Sequence, residues 1–146
     1  MSAPLQYCTF RVDGLYFGVE VTRVQEVIRY QDMTRVPLAP GTVSGLINLR
    51  GQIVVALDLR RRLHLEDRPA GTLPMNVVLT TDEGAVSLLV DEIGDVVEVA
   101  DGAYEPPPET LSDIARELIS GTYKLSDRLL LVLNTDRAVA TPAVLA

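Results

Sequence analysis

Tryptophan is absent from this 146-residue chain, and Cys8 and His64 are its only cysteine and histidine. A single cysteine excludes an internal disulfide and fits a reducing compartment. One histidine cannot found a histidine-based metal site without borrowing several carboxylates. No Walker loop, Gly-rich dinucleotide turn or Gly-x-Ser-x-Gly elbow occurs. Met1-Ser2-Ala3-Pro4 carries no basic stretch leading into an apolar run, so no secretory signal is expected. The longest aliphatic runs, Ile53 to Leu57 and Leu129 to Leu133, are far too short to span a bilayer. With a formal net charge of −7 the chain lacks the positive excess of a nucleic-acid binder or of a protein drawn to anionic membranes. A soluble, cytoplasmic protein is expected.

What remains is aliphatic. Apolar residues make up 47% of the chain, enough at this length for one domain with a real core. The charge is polarised. Residues 82–117 hold eleven carboxylates against Arg116 alone, whereas residues 35–68 hold six arginines against Asp58, Glu66 and Asp67. Such polarity can orient a protein partner, and solvated surface on both halves explains it equally well.

Strand signals dominate. Leu5 to Val12 and Leu15 to Val21 flank Asp13-Gly14, a strong hairpin signal. Leu46 to Leu49 and Ile53 to Leu59 flank Arg50-Gly51, a tight bend that presents one guanidinium, and Met75 to Thr81 and Ala85 to Val90 flank Asp82-Glu83-Gly84. Asp95 to Val99, Ile119 to Lys124 and Leu129 to Leu133 complete about nine strands, read from the same pattern. Long helices do not alternate with them, so an antiparallel barrel or a pair of barrels is expected. Three short helical pieces are expected. The first is a turn at Thr22 to Ile28, with Thr22 and Gln25 as a capping box and Val24, Val27 and Ile28 on one face. The others are Leu111 to Leu118 and Asn134 to Val139. Glu66 to Pro74 and Gly102 to Glu109 read as linkers too short to separate domains.

No constellation suits catalysis. Cys8 and His64 could pair as nucleophile and base, yet Cys8 lies in an ordinary strand, Tyr7-Cys8-Thr9-Phe10, and His64 in an exposed helix or turn. Asp91-Glu92 and Asp95 could hold a divalent cation, but the spacing fails the calcium-loop pattern and a solvated turn is the simpler reading. No catalytic residue, cofactor or metal is expected.

Six segments, in order, carry a more specific signal: Val24-Gln25-Glu26-Val27, Thr34-Arg35-Val36-Pro37, Gly45 to Gly51, Asp58-Leu59-Arg60, Val90 to Val96, and Asp127 to Asn134. Together they resemble CheW-type adaptors of bacterial chemosensory arrays, over nearly the whole chain. The resemblance implies an all-β fold with a few short helices, two intertwined SH3-like five-stranded β-barrels forming one domain over residues 5–140, and a tail at 141–146. It implies a non-catalytic adaptor that links the cytoplasmic tips of chemoreceptors to the regulatory domain of the histidine kinase CheA, beside other CheW copies in array rings. Such a protein would be cytoplasmic, associated with membrane-bound receptors, without nucleic-acid or membrane-inserting contacts. By motif, the receptor-facing positions would be Val24, Gly45, Asn48, Arg50 and Val78, and the kinase-facing ones Glu26 and Val27. Two alternatives stand beside this reading: an adaptor of a non-flagellar chemosensory pathway, and a barrel that binds a small ligand.

Overall fold

Apolar residues in runs, punctuated by left-handed turn residues, leave this chain little choice but strands. The computed structural model describes residues 5–82, 84–100 and 103–140. The expected tail at 141–146, Glu83 of the third hairpin turn and Gly102 of the second linker lie outside them. The elements in chain order are β1 (Leu5–Val12), β2 (Leu15–Glu20), β3 (Val24–Ile28), β4 (Val43–Leu49), β5 (Gln52–Asp58), α1 (Leu59–Arg62), β6 (Met75–Thr81), β7 (Gly84–Val90), β8 (Glu92–Val99), β9 (Tyr104–Glu105), α2 (Asp113–Leu118), β10 (Ile119–Lys124), β11 (Leu129–Leu133) and α3 (Thr135–Val139). The fold is all-β with short helices, as expected.

The strands form two sheets. One runs β8-β1-β2-β11-β10-β9 and the other β3-β6-β7-β5-β4, so the second is a continuous stretch inserted between β2 and β8 of the first. Asp13-Gly14 makes the first hairpin turn with both φ angles positive, 52° and 78°, the twist that suits two-residue hairpins. Two pairings depart from the antiparallel expectation: β2 lies parallel to β11, and β5 parallel to β7. Parallel neighbours require distant parts of the chain to meet, which hairpin signals cannot reveal. The two-residue β9 takes the first sheet to six strands.

The larger correction concerns Val24 to Ile28, which is a strand rather than a helix. A single 3-10 turn at Val21–Arg23 precedes it, and no side chain caps that turn. Val24, Val27 and Ile28 are β-branched and lose little in extended backbone. The exposed edge of β6 then offers them main-chain partners, with Val27 opposite Val77 and Ile28 opposite Asn76. The period therefore becomes two. Val24, Glu26 and Ile28 turn inward while Gln25 and Val27 point out. The other two helical pieces form close to their expected places, capped by the side chains of Ser112 and Asn134.

Alternation sorts the core. Phe10 and Val12, Phe17 and Val19, Leu57, Val77 and Leu79, Leu88 and Val90, and Leu131 and Leu133 join one cluster that draws on both sheets, closed by Leu59, Leu63 and Leu118. The opposite faces form two separate clusters. In the five-stranded sheet these are Ile47, Leu49, Val54, Ala56, Val78 and Leu89, and in the six-stranded sheet Tyr7, Val99, Tyr123, Leu130 and Val132. Central strands are largely buried on both faces, which explains the unbroken runs Val54 to Leu57 and Leu129 to Leu133.

Candidate protein-interaction site

The five-stranded sheet has two outer strands, β3 and β4, and the chain ties them together twice. Thr34, just beyond β3, exchanges two main-chain hydrogen bonds with Leu46 of β4, each 2.8 Å. At the far end of β4 the Arg50 guanidinium reaches Glu26 of β3 with both arms, Nη1 to Oε2 at 2.7 Å and Nη2 to Oε1 at 3.1 Å. These links bring the sheet's two edges together as a barrel.

Gly45 makes the first link possible. A Cβ at this position would stand 2.7 Å from the Thr34 carbonyl oxygen and 3.0 Å from the Met33 Cβ. The close approach coincides with a register shift in the β4–β5 ladder between Val43 and Gly45. Gly45→Ala is expected to push Thr34 off β4, with a loss of roughly 1–3 kcal/mol. Hydrogen exchange should report it as faster exchange at the Thr34 and Leu46 amides. Unchanged protection there would show that the loop absorbs the methyl group.

The second link depends on the turn. Arg50 and Gly51 both have positive φ, 51° and 89°, which aligns β4 and β5 but crowds the Arg50 Cβ. Asn48 offsets this by accepting a hydrogen bond from the Gly51 N–H through its Oδ1 at 2.8 Å. The Arg50 side chain is 78% exposed, while that of its partner Glu26 is only 17% exposed. Glu26 faces inward beside Val24 and Ile28, where an unpaired carboxylate would be costly. Hydrogen bonding to Glu26 raises the Arg50 pKa, so the fork stays cationic. Its remaining N–H donors make no hydrogen bond to another described residue.

Three residues expected at the site carry little or no accessible surface. Val78 is fully buried in the cluster beneath the sheet, Gly45 is buried, and Val24 is partly buried against the shared core. Asn48, Arg50 and Val27 are exposed. The structure thus joins Glu26 and Arg50, which the sequence assigned to different partners. It also adds Ile53, 61% exposed and paired directly with Asn48 across the hairpin. Ile53 opens an aliphatic run whose next residue, Val54, is fully buried. The signal that sets Ile53 apart is its place one residue beyond the turn.

A second polar cluster lies where the chain crosses between sheets. Asp91, the single residue between β7 and β8, receives Arg60 Nε at 2.9 Å and Arg60 Nη2 at 2.6 Å. It also accepts the Asp13 N–H at 2.7 Å. Arg68 lies 2.9 Å from Asp91 and donates to both oxygens of Asp58 at 3.1 and 3.2 Å. Asp58 also caps α1 through the Arg60 N–H. The side chains of Asp58, Arg60, Arg68 and Asp91 are 10–18% exposed. Burial acts to raise the Asp91 pKa, but the Arg60 and Asp13 hydrogen bonds and the two guanidinium charges outweigh it and hold the pKa below the ordinary carboxylate value. Asp91 is therefore a structural tie, not the solvated turn expected. Among the described residues no three His, Cys, Asp or Glu gather as metal ligands. Cys8 is half-buried, and burial pushes its thiol pKa up.

A family model described as the CheW-like domain matches residues 6–142. The chain belongs to the CheW-like domain family. Among curated relatives, the chemotaxis protein CheW of Treponema pallidum is 28% identical over 90% of this chain and 80% of its own length. That of Bacillus subtilis is 30% identical over 87% of this chain and 81% of its own. Among solved structures, the scaffolding protein CheW of Thermoanaerobacter tengcongensis superposes with a TM-score of 0.80 at 25% identity, covering 92% of this chain and 86% of that one. The two sheets of this CheW-like chain thus correspond to the pair of SH3-like barrels that its motifs imply. Among the described residues no helix is long and apolar enough to cross a membrane.

Proposed function

We propose that this CheW-like chain is a non-catalytic adaptor that couples chemoreceptors to the histidine kinase CheA in a cytoplasmic chemosensory array. The observation that carries the reading is the Arg50 fork: a rigid, exposed cation on a strained turn, tied across the barrel seam to Glu26. A planar fork held in this way suits directional contact with carbonyls or carboxylates of another protein. Asn48 and Arg50 form the receptor-facing surface with Val24 at its rim, while Gly45 and Val78 shape it from beneath. Glu26 and the outward Val27 contribute to the kinase-facing surface on β3. Because Glu26 and Arg50 share hydrogen bonds, occupancy of one surface bears on the geometry of the other.

The test is a titration of the full chain against a receptor-tip helical hairpin and against a CheA regulatory domain from the same organism. Saturable binding to both is expected, with individual contacts modest and reinforced by multivalency in the array. Failure to bind either one would remove the coupling role.

A further inference from the structure

Leu38 is fully exposed and sits in the left-handed region at φ 65°. A leucine gains nothing from either condition: its apolar surface stays in water and its Cβ crowds the backbone. The loop is nonetheless ordered by its own bonds. Ala39 donates to the Val36 carbonyl at 3.3 Å, Val43 to that of Pro40 at 2.9 Å, and Arg61 Nη1 to that of Gly41 at 3.0 Å. Pro37 and Pro40 fix φ on either side of the tip. Beside Leu38 lies a concavity of about 750 Å³ walled by Val36, Pro37 and Pro40, with Arg35 and Arg61 on its rim and no carboxylate in its lining. Arg61 is held by Asp67 at 3.1 Å, whereas the Arg35 guanidinium has no partner among the described residues.

We propose that the loop from Arg35 to Gly41 is a docking surface for an acidic amphipathic helix of a partner protein, with Leu38 as its apolar anchor. The partner is acidic because the Arg35 guanidinium has no carboxylate partner among the described residues and none lines the concavity. It is a helix because the two prolines remove main-chain donors, so an added strand could not pair here and contact must run through side chains. A pre-ordered knob lowers the ordering cost of association, which accounts for an apolar residue held in a conformation that does not stabilise the free chain. The surface lies at the opposite end of β4 from Arg50, roughly 20 Å away. It does not rest on the receptor–kinase reading.

The experiment is a titration of the isotope-labelled full chain with a stapled helical peptide of Glu and Leu, and with its Lys and Leu counterpart, read by amide chemical shifts. Shifts confined to residues 34–44 and Arg61 are expected with the acidic peptide, and none with the basic one. Arg35→Glu and Leu38→Asn should each weaken binding at least tenfold. Leu38→Asn should also raise the denaturation midpoint, because asparagine accepts the left-handed region. Absence of shifts in the loop, or acidic-peptide binding indifferent to Arg35→Glu, would overturn the proposal. So would concentration-dependent dimerisation of the chain alone that Leu38→Asn abolishes, since a second copy would then be the occupant.

Discussion

Asp91→Ala is expected to lower the unfolding free energy by about 3–5 kcal/mol, the scale for removing one partner from a buried ion pair. The loss is large because Asp91 neutralises parts of two guanidinium groups, Arg60 and Arg68, whose side chains are 10% and 11% exposed. It also accepts the N–H at the β1–β2 turn, so its removal loosens both sheets at their crossing. The pH dependence has a definite sign. The folded pKa of Asp91 lies below its unfolded value, so the stabilisation is fully present above about pH 4 and is lost as pH falls through the folded pKa. Asp91→Asn should flatten that part of the acid limb. Urea denaturation from pH 7 down to pH 3 measures both effects. A loss under about 1 kcal/mol for Asp91→Ala would place the cluster with ordinary surface pairs.

Arg50→Glu is expected to weaken binding to a receptor-tip hairpin by roughly tenfold or more, the effect of losing an arginine hot spot. The substitution also sets two carboxylates against each other at the seam, so the single variant mixes a binding effect with a local structural one. The paired variant Arg50→Glu with Glu26→Arg separates them. It restores an ion pair between β3 and the hairpin, and with it the seam, but it reverses the charge presented to a partner. Titration calorimetry should find receptor affinity still lost in the swap while the denaturation midpoint recovers. Recovery of affinity along with the midpoint would mean that the pair serves only to close the barrel.

Much of this was written locally. Asp13-Gly14 announces its hairpin because few residues tolerate paired positive φ, whereas Arg50-Gly51 shows only through its glycine and the apolar runs beside it. The motif segments likewise named the elements that meet around Arg50. At β3 two local signals conflict: apolar residues at positions 24, 27 and 28 fit one face of a helix, while their β-branching favours a strand. Only the vacant edge of β6 decides between them. The same choice turned Glu26 inward to meet Arg50, which no helical face would have placed there. Nothing local to Asp91 signals its burial, because its partners lie 31 and 23 residues away in sequence. Val78, which the motif places at the surface, is buried for a related reason. Alternation marks two faces of a strand but does not say which end of a face the rest of the chain covers.

The sequence by itself determined an aliphatic all-β chain of the CheW-like family, its hairpin turns, and an exposed arginine on one of them. Each follows from short-range physics: backbone freedom at two adjacent residues, and the burial of alternating apolar side chains. The tertiary structure alone decided that β2 and β5 take parallel neighbours, that both sheets feed one core, and that Arg50 and Glu26 become partners. Those outcomes depend on which distant surfaces come into register, and only the folded chain brings them within bonding distance.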